Sequence, residues 1–192
     1  MRGPLLSGPL GSAATLAALA RWLRGAAPAV VVGPLWLAAA LAREIPIIAL
    51  IEPEQRAAAR RAAKRGRAAA GDATALTLVE AAEEIPLRRG GAGALVVEGA
   101  ASLDSSTAMG WLLRLAPCLR PEGRLVAMDA VKDPASEARV AGVFLAAALG
   151  NLVQERPREG VVVTVGVTPC LAVGEARWAG EAAAAAAGLT GP

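Results

Sequence analysis

The chain of 192 residues can fill one domain with a full core and is too short for two of ordinary size. It is 55% hydrophobic and 3% aromatic, so its core rests on Ala, Val and Leu, and a formal charge of +3 does not by itself point to nucleic acid. There is no His and no Tyr, which removes the commonest general base, the usual zinc ligands and phenolic acid/base chemistry.

Ser12 is placed to cap a first helix at about residues 13–24. Leu16, Leu19 and Leu23 recur at helical spacing along it, and Gly25 ends it. The β-branched run Ala29–Val32 predicts a first strand. Gly33-Pro34 predicts a turn into a helix at residues 35–44, which Pro46 stops. Ile47–Ile51 predicts a second strand that ends on the acid Glu52. Strand, turn, helix and strand with a terminal carboxylate read as the first half of a nucleotide-binding α/β unit.

A helix is expected after Pro53, carrying Arg56, Arg60, Arg61, Lys64 and Arg65 among alanines. A solvated face is favoured for that basic stripe over an anion or nucleic-acid contact, and no aromatic residues interleave to stack bases, which weakens the latter. A short third strand is expected at residues 67–70, ending in Gly71-Asp72-Ala73. A helix beginning at Thr74 or Thr77 and running to Glu84 should follow. Residues 94–97 predict a fourth strand ending at Glu98, residues 106–119 a helix, and Pro121-Glu122-Gly123 a turn. A fifth strand is expected at residues 124–128, ending on Asp129. Asp133-Pro134 opens a helix expected at residues 135–149, closed by Gly150. Residues 152–154 and Val161–Val167, joined by a turn at residues 156–160, predict an antiparallel hairpin.

The expected fold is a three-layer, Rossmann-like α/β sandwich with a mostly parallel seven-stranded sheet and a C-terminal antiparallel hairpin. It divides into an N-terminal helical segment (residues 1–28), the α/β domain (29–173) and an Ala-rich tail (174–192). Cys118 and Cys170 each stand alone, which suits reduced core thiols in a cytoplasmic protein. Residues 25–42 carry no charge, but Pro28 and Gly33-Pro34 interrupt them, so no membrane span is expected. Asp104, Asp129 and Asp133 read as caps and loop acids, and the four tryptophans as core or interface residues.

This order of elements resembles the class I S-adenosylmethionine-dependent methyltransferase family over residues 30–168. Val30-Val31-Val32-Gly33 stands at the family's first strand and glycine-rich loop, and Ile51-Glu52-Pro53 at the acid ending strand two. Gly71-Asp72-Ala73 stands at the segment that flanks adenine. The run from Leu115 through Pro121-Glu122-Gly123-Arg124 to Val126 is similar to the family passage before strand five. The resemblance implies S-adenosylmethionine as cofactor, with Glu52 on the ribose hydroxyls and Asp72 and Ala73 at the adenine. Gly33 would give the backbone room near the methionine part, and Glu98 would lie near the methyl-donor pocket.

The chain departs from the family at its loop, usually acid-x-Gly-x-Gly-x-Gly. The matching positions are Val31, Gly33, Leu35 and Leu37, and the two leucines are expected to pack together and close part of the cleft. The function expected is thus a methyltransferase-like protein, its substrate open and its activity weak or lost. The alternative is a non-catalytic methyltransferase-like scaffold that binds a small molecule, a protein or a second copy of itself. A nicotinamide-linked oxidoreductase is disfavoured, because Gly-x-Gly-x-x-Gly is absent after strand one.

Overall fold

The computed structural model describes residues 9–32, 35–51, 57, 60–61, 76–80, 88–100, 110, 112–131, 133–147 and 149–169. Helix α1 (Ala13–Leu23) starts where Ser12 caps it: the Ser12 hydroxyl accepts from the Thr15 backbone N–H at 3.2 Å. Gly25, at φ 73°, takes the left-handed conformation that turns the chain out of it. Strands β1 (Ala29–Val32) and β2 (Ile47–Ile51) flank helix α2 (Leu35–Leu41), whose buried Leu37, Ala38 and Leu41 form one stripe. Strand β3 is Leu76–Glu80, β4 is Ala92–Glu98 and β5 is Leu119–Ala130. Helix α3 (Pro134–Ala146) then leads to β6 (Gly150–Arg158) and β7 (Val161–Val167).

The seven strands form one sheet in the order β3-β2-β1-β4-β5-β7-β6. All neighbouring pairs from β3 to β5 are parallel, and β7 runs antiparallel to both β5 and β6. Strand alternation sends side chains to two cores. Leu19 and Leu23 of α1 and Leu37 and Leu41 of α2 pack with Val31, Val96 and Met128 on one face. Val140, Val143 and Phe144 of α3, with Leu112 and Leu115, pack with Val30, Leu95 and Leu125 on the other. This is the three-layer sandwich, and each fully buried Leu or Val adds about 1.5–3 kcal/mol of hydrophobic stabilisation.

Three expectations change. The strand expected at residues 67–70 lies outside the described residues, and β3 falls instead at Leu76–Glu80, where a helix was expected. Thr77 and Val79 are β-branched and suit an extended chain, whereas the alanines before them do not. The turn expected at Pro121-Glu122-Gly123 lies within β5, where Glu122 adopts φ 61° and the pairing to β4 shifts register. Strand β6 begins at Gly150 and runs to Arg158, longer than expected, and leaves only Glu159 and Gly160 to turn into β7.

Ionic and polar contacts lock α1 to the far side of the sheet. Arg21 pairs with Glu155 of β6, and the Trp22 indole N–H donates to the same carboxylate at 3.1 Å. Arg124 of β5 donates to the Trp22 carbonyl at 2.6 Å. Cys118 is a buried thiol whose S–H meets the Arg114 carbonyl at 3.7 Å, and burial raises its pKa against the opposing field of Arg89. Among the described residues no helix is long and apolar enough to cross a membrane.

Candidate functional site

In an open, mostly parallel sheet, ligands bind beyond the carboxyl ends of the strands, where the strand order reverses. Here the order runs outward from β1 to β2 and β3 on one side and from β4 onward on the other, so the reversal lies between β1 and β4. Val32 pairs with Val97 across that junction, and the next residue of β4 is Glu98. Glu98 therefore stands at the switch point itself.

The local surroundings of Glu98 are unusual for a strand-end acid. Its Oε2 atom is buried and meets no hydrogen-bond partner among the described residues. Alternation gives Glu98 the face of Ala94 and Val96, toward α1 and α2. On the neighbouring strand Met128 is its register partner, and the next residue, Asp129, is 1% exposed. Burial raises the Glu98 pKa first, and the negative field of Asp129 raises it further. After Glu98 the chain turns at Gly99, whose φ is 81° and whose N–H donates to the Met128 carbonyl at 3.1 Å. A half-buried carboxylate with an oxygen unpartnered among the described residues is chemically suited to a cationic or hydrogen-bond-donating ligand group.

Asp129 is the residue that sequence reasoning misassigned. It reads as a loop acid at a strand end, but β5 continues to Ala130 and the side chain is buried. Leu125, Ala127 and Asp129 alternate along β5 and Val131 follows its end, and the three apolar members are buried in one core. Asp133, in contrast, is the cap expected. Its carboxylate accepts from the Ser136 backbone N–H at 2.8 Å and hydroxyl at 2.9 Å, which lowers its pKa.

Of the other expected site residues, Gly33, Glu52, Asp72 and Ala73 lie outside the described residues. Ile51, which precedes Glu52 in the sequence, ends β2 at the same carboxyl edge of the sheet. The loop departures acquire a structural meaning. Val31, at the family's acid position, is a wholly buried strand residue. Helix α2 begins two residues after β1, and Leu37 is completely buried in the core with Leu19, Val31 and Leu41. Leu35 and Trp36 pack partly buried against that cluster. Leu37 is therefore a helical core position. Ala57, Arg60 and Arg61, from the basic helix expected after Pro53, are helical and exposed.

No family model and no curated protein matches this sequence. Solved structures do match. The S-adenosylmethionine-dependent methyltransferase SibL, in its apo form, aligns with a TM-score of 0.69 and 13% identity over 82% of this chain and 55% of its own. The mitomycin 7-O-methyltransferase MmcR aligns at 0.62 with 20% identity, over 81% of this chain and 53% of its own. Human N-acetylserotonin methyltransferase, solved with S-adenosylmethionine, aligns at 0.60 with 11% identity, over 83% and 52%. The chain spans about half the length of these solved methyltransferases. The likeness establishes a class I methyltransferase-like fold.

Proposed function

We propose that this chain, with its class I methyltransferase-like fold, is an S-adenosylmethionine-dependent methyltransferase-like protein. In this reading it binds the nucleoside part of the cofactor at the β1/β4 switch point, and its methyl-transfer activity is weak or absent. The observation that carries the reading is the half-buried Glu98 at that junction, with a buried carboxylate oxygen that meets no partner among the described residues. Such a group fits a ligand that presents ammonium and sulfonium charge. The cofactor, when bound, supplies a methyl group activated on a sulfonium centre.

The chain's own residues then have distinct tasks. Glu52 accepts hydrogen bonds from the ribose hydroxyls beyond β2, and Asp72 and Ala73 flank the adenine. Gly33 leaves room for the ligand beside the end of β1. Glu98 faces the cationic end. Methyl transfer needs in-line positioning more than proton abstraction, so a chain without His is compatible with it. The weakness follows from Val31. Where the family has an acid that holds the amino acid part, this chain has a buried valine, which removes a contact worth about 1.5–3 kcal/mol.

A second reading is favoured by α2. The helix starts at Leu35 and commits Leu37 to the core, an arrangement equally suited to a non-catalytic scaffold that retains only the fold. Calorimetric titration with S-adenosylhomocysteine separates the two. The first reading expects saturable heat that Glu52→Ala abolishes, and the second expects none.

A further inference from the structure

The edge of the sheet opposite the proposed ligand site carries a different chemistry. Strands β1, β2, β4 and β5 are parallel, so their starts share one pole, and antiparallel β7 ends there. Among the described residues seven arginines lie toward this pole: Arg43 stands before β2, and six gather about β1, β4 and β5, namely Arg24 after α1, Arg88 and Arg89 before β4, Arg114 before β5, and Arg120 and Arg124 within β5. All but Arg124 are exposed.

Hydrogen bonds tie their segments into one surface. Arg120 donates to the Gly25 carbonyl at 3.3 Å, which joins β5 to the end of α1. The Gly90 N–H donates to the Pro117 carbonyl at 3.0 Å, which seats the Arg88-Arg89 turn beside the start of β5. The Cys118 thiol meets the Arg114 carbonyl, and Arg89 is close enough to Cys118 for its charge to act on the thiol. Arg124 reaches the carbonyls of Trp22 and Arg24 from below. Among the described residues the acids at this pole are Glu122 and Glu44, and Glu44 is offset by its neighbour Arg43. The opposite pole holds Glu98, Asp129 and Asp133.

We propose that this arginine-bearing pole is a docking surface for an acidic segment of a partner protein. Three features select that partner. Guanidinium groups match carboxylates as planar forks, so an Arg cluster favours acids that can pair bidentately. Exposed Pro28, Pro117 and Pro121 stand among the arginines and offer rigid apolar contacts for the side chains of a peptide. Among the described residues no aromatic side chain is available there for base stacking: Trp22 is engaged by Glu155, Trp36 packs against the α1/α2 core and Phe144 is buried. The surface is separate from the switch point, so it stands whether or not a methyl donor binds.

The test uses fluorescence anisotropy of a labelled poly-glutamate peptide with the full chain, beside a duplex DNA of matched charge and phosphatidylserine vesicles. The expected result is saturable peptide binding that the double change Arg88→Glu and Arg89→Glu weakens roughly tenfold or more, with Arg88→Gln and Arg89→Gln intermediate. The control reverses two arginines away from this pole, Arg139→Glu and Arg158→Glu, and should change affinity less than about twofold. Equal weakening by the control would reduce the effect to net charge and overturn the proposal. Tighter binding of the duplex or the vesicles than of the peptide would also overturn it. Unchanged melting temperatures establish that the exposed substitutions leave the fold intact.

Discussion

The Glu98 carboxyl group, at the end of β4, lies within the field of Asp129, one residue beyond its register partner on β5. Burial and that field both raise the Glu98 pKa above the ordinary value of 4.5. The folded chain thus holds this proton at a pH where the unfolded chain has released it. Stability contributed by Glu98 is full below the unfolded value and is lost as pH rises through the raised folded value. Glu98→Gln removes the ionisation. Urea midpoints from about pH 4 to about pH 8 should therefore drift in the variant's favour as pH rises. Parallel curves for the two proteins would contradict this assignment.

Glu155 obeys the opposite sign. The hydrogen bond from Arg21 chiefly lowers its pKa, and the Trp22 indole adds to this against a partial desolvation. Its contribution is present above the unfolded value and lost as pH falls through the lowered folded value. Arg21 is 60% exposed, so solvent screens the pair. Glu155→Gln should cost only about 0.5–1 kcal/mol at neutral pH. The deficit should close in acid, as read by Trp fluorescence during denaturation. A deficit that persists in acid would show that packing, not charge, holds α1 at this point.

Two glycines should respond oppositely to alanine. A Cβ on Gly93 would lie 2.4 Å from the Ala26 carbonyl oxygen, where the segment before β1 crosses β4 backbone to backbone. Overpacking there should cost about 1–3 kcal/mol. Gly142 sits on the exposed side of α3 with nothing within 4 Å of the added methyl, so Gly142→Ala should gain about 0.5–1 kcal/mol from helix propensity. Thermal unfolding of both variants checks the contrast, and a neutral Gly93→Ala would mean that the crossing can separate.

The fold was legible where local chemistry and tertiary packing agree. The β-branched runs Ala29–Val32 and Val161–Val167 are buried strands, and Ser12 and Gly25 bound α1 as their cap chemistry requires. It was illegible where packing overrides a local signal. Pro121-Glu122-Gly123 has turn composition, yet the chain passes through it in β5. Glu122 takes a left-handed φ, and a Cβ on Gly123 would come within 2.7 Å of the Arg120 carbonyl oxygen. The candidate site divides in the same way. Glu98 could be read from its place after an apolar strand, whereas the burial of Asp129 depends on β5 extending past it and on pairing with Val162 of β7. Nor does a sequence disclose that Leu37, at a family glycine position, is a core residue of a helix.

The most direct test of the ligand reading is calorimetric titration of the full chain with S-adenosylhomocysteine, in parallel with Glu52→Ala and Glu98→Gln. Enzyme ligands commonly bind from about 1 µM upward, and one missing charge-assisted contact weakens binding by roughly tenfold to a hundredfold. One saturable site with a Kd of roughly 10–100 µM is expected, lost in Glu52→Ala and weakened in Glu98→Gln. Absence of saturable heat at millimolar ligand, or equal affinity in all three proteins, would contradict it.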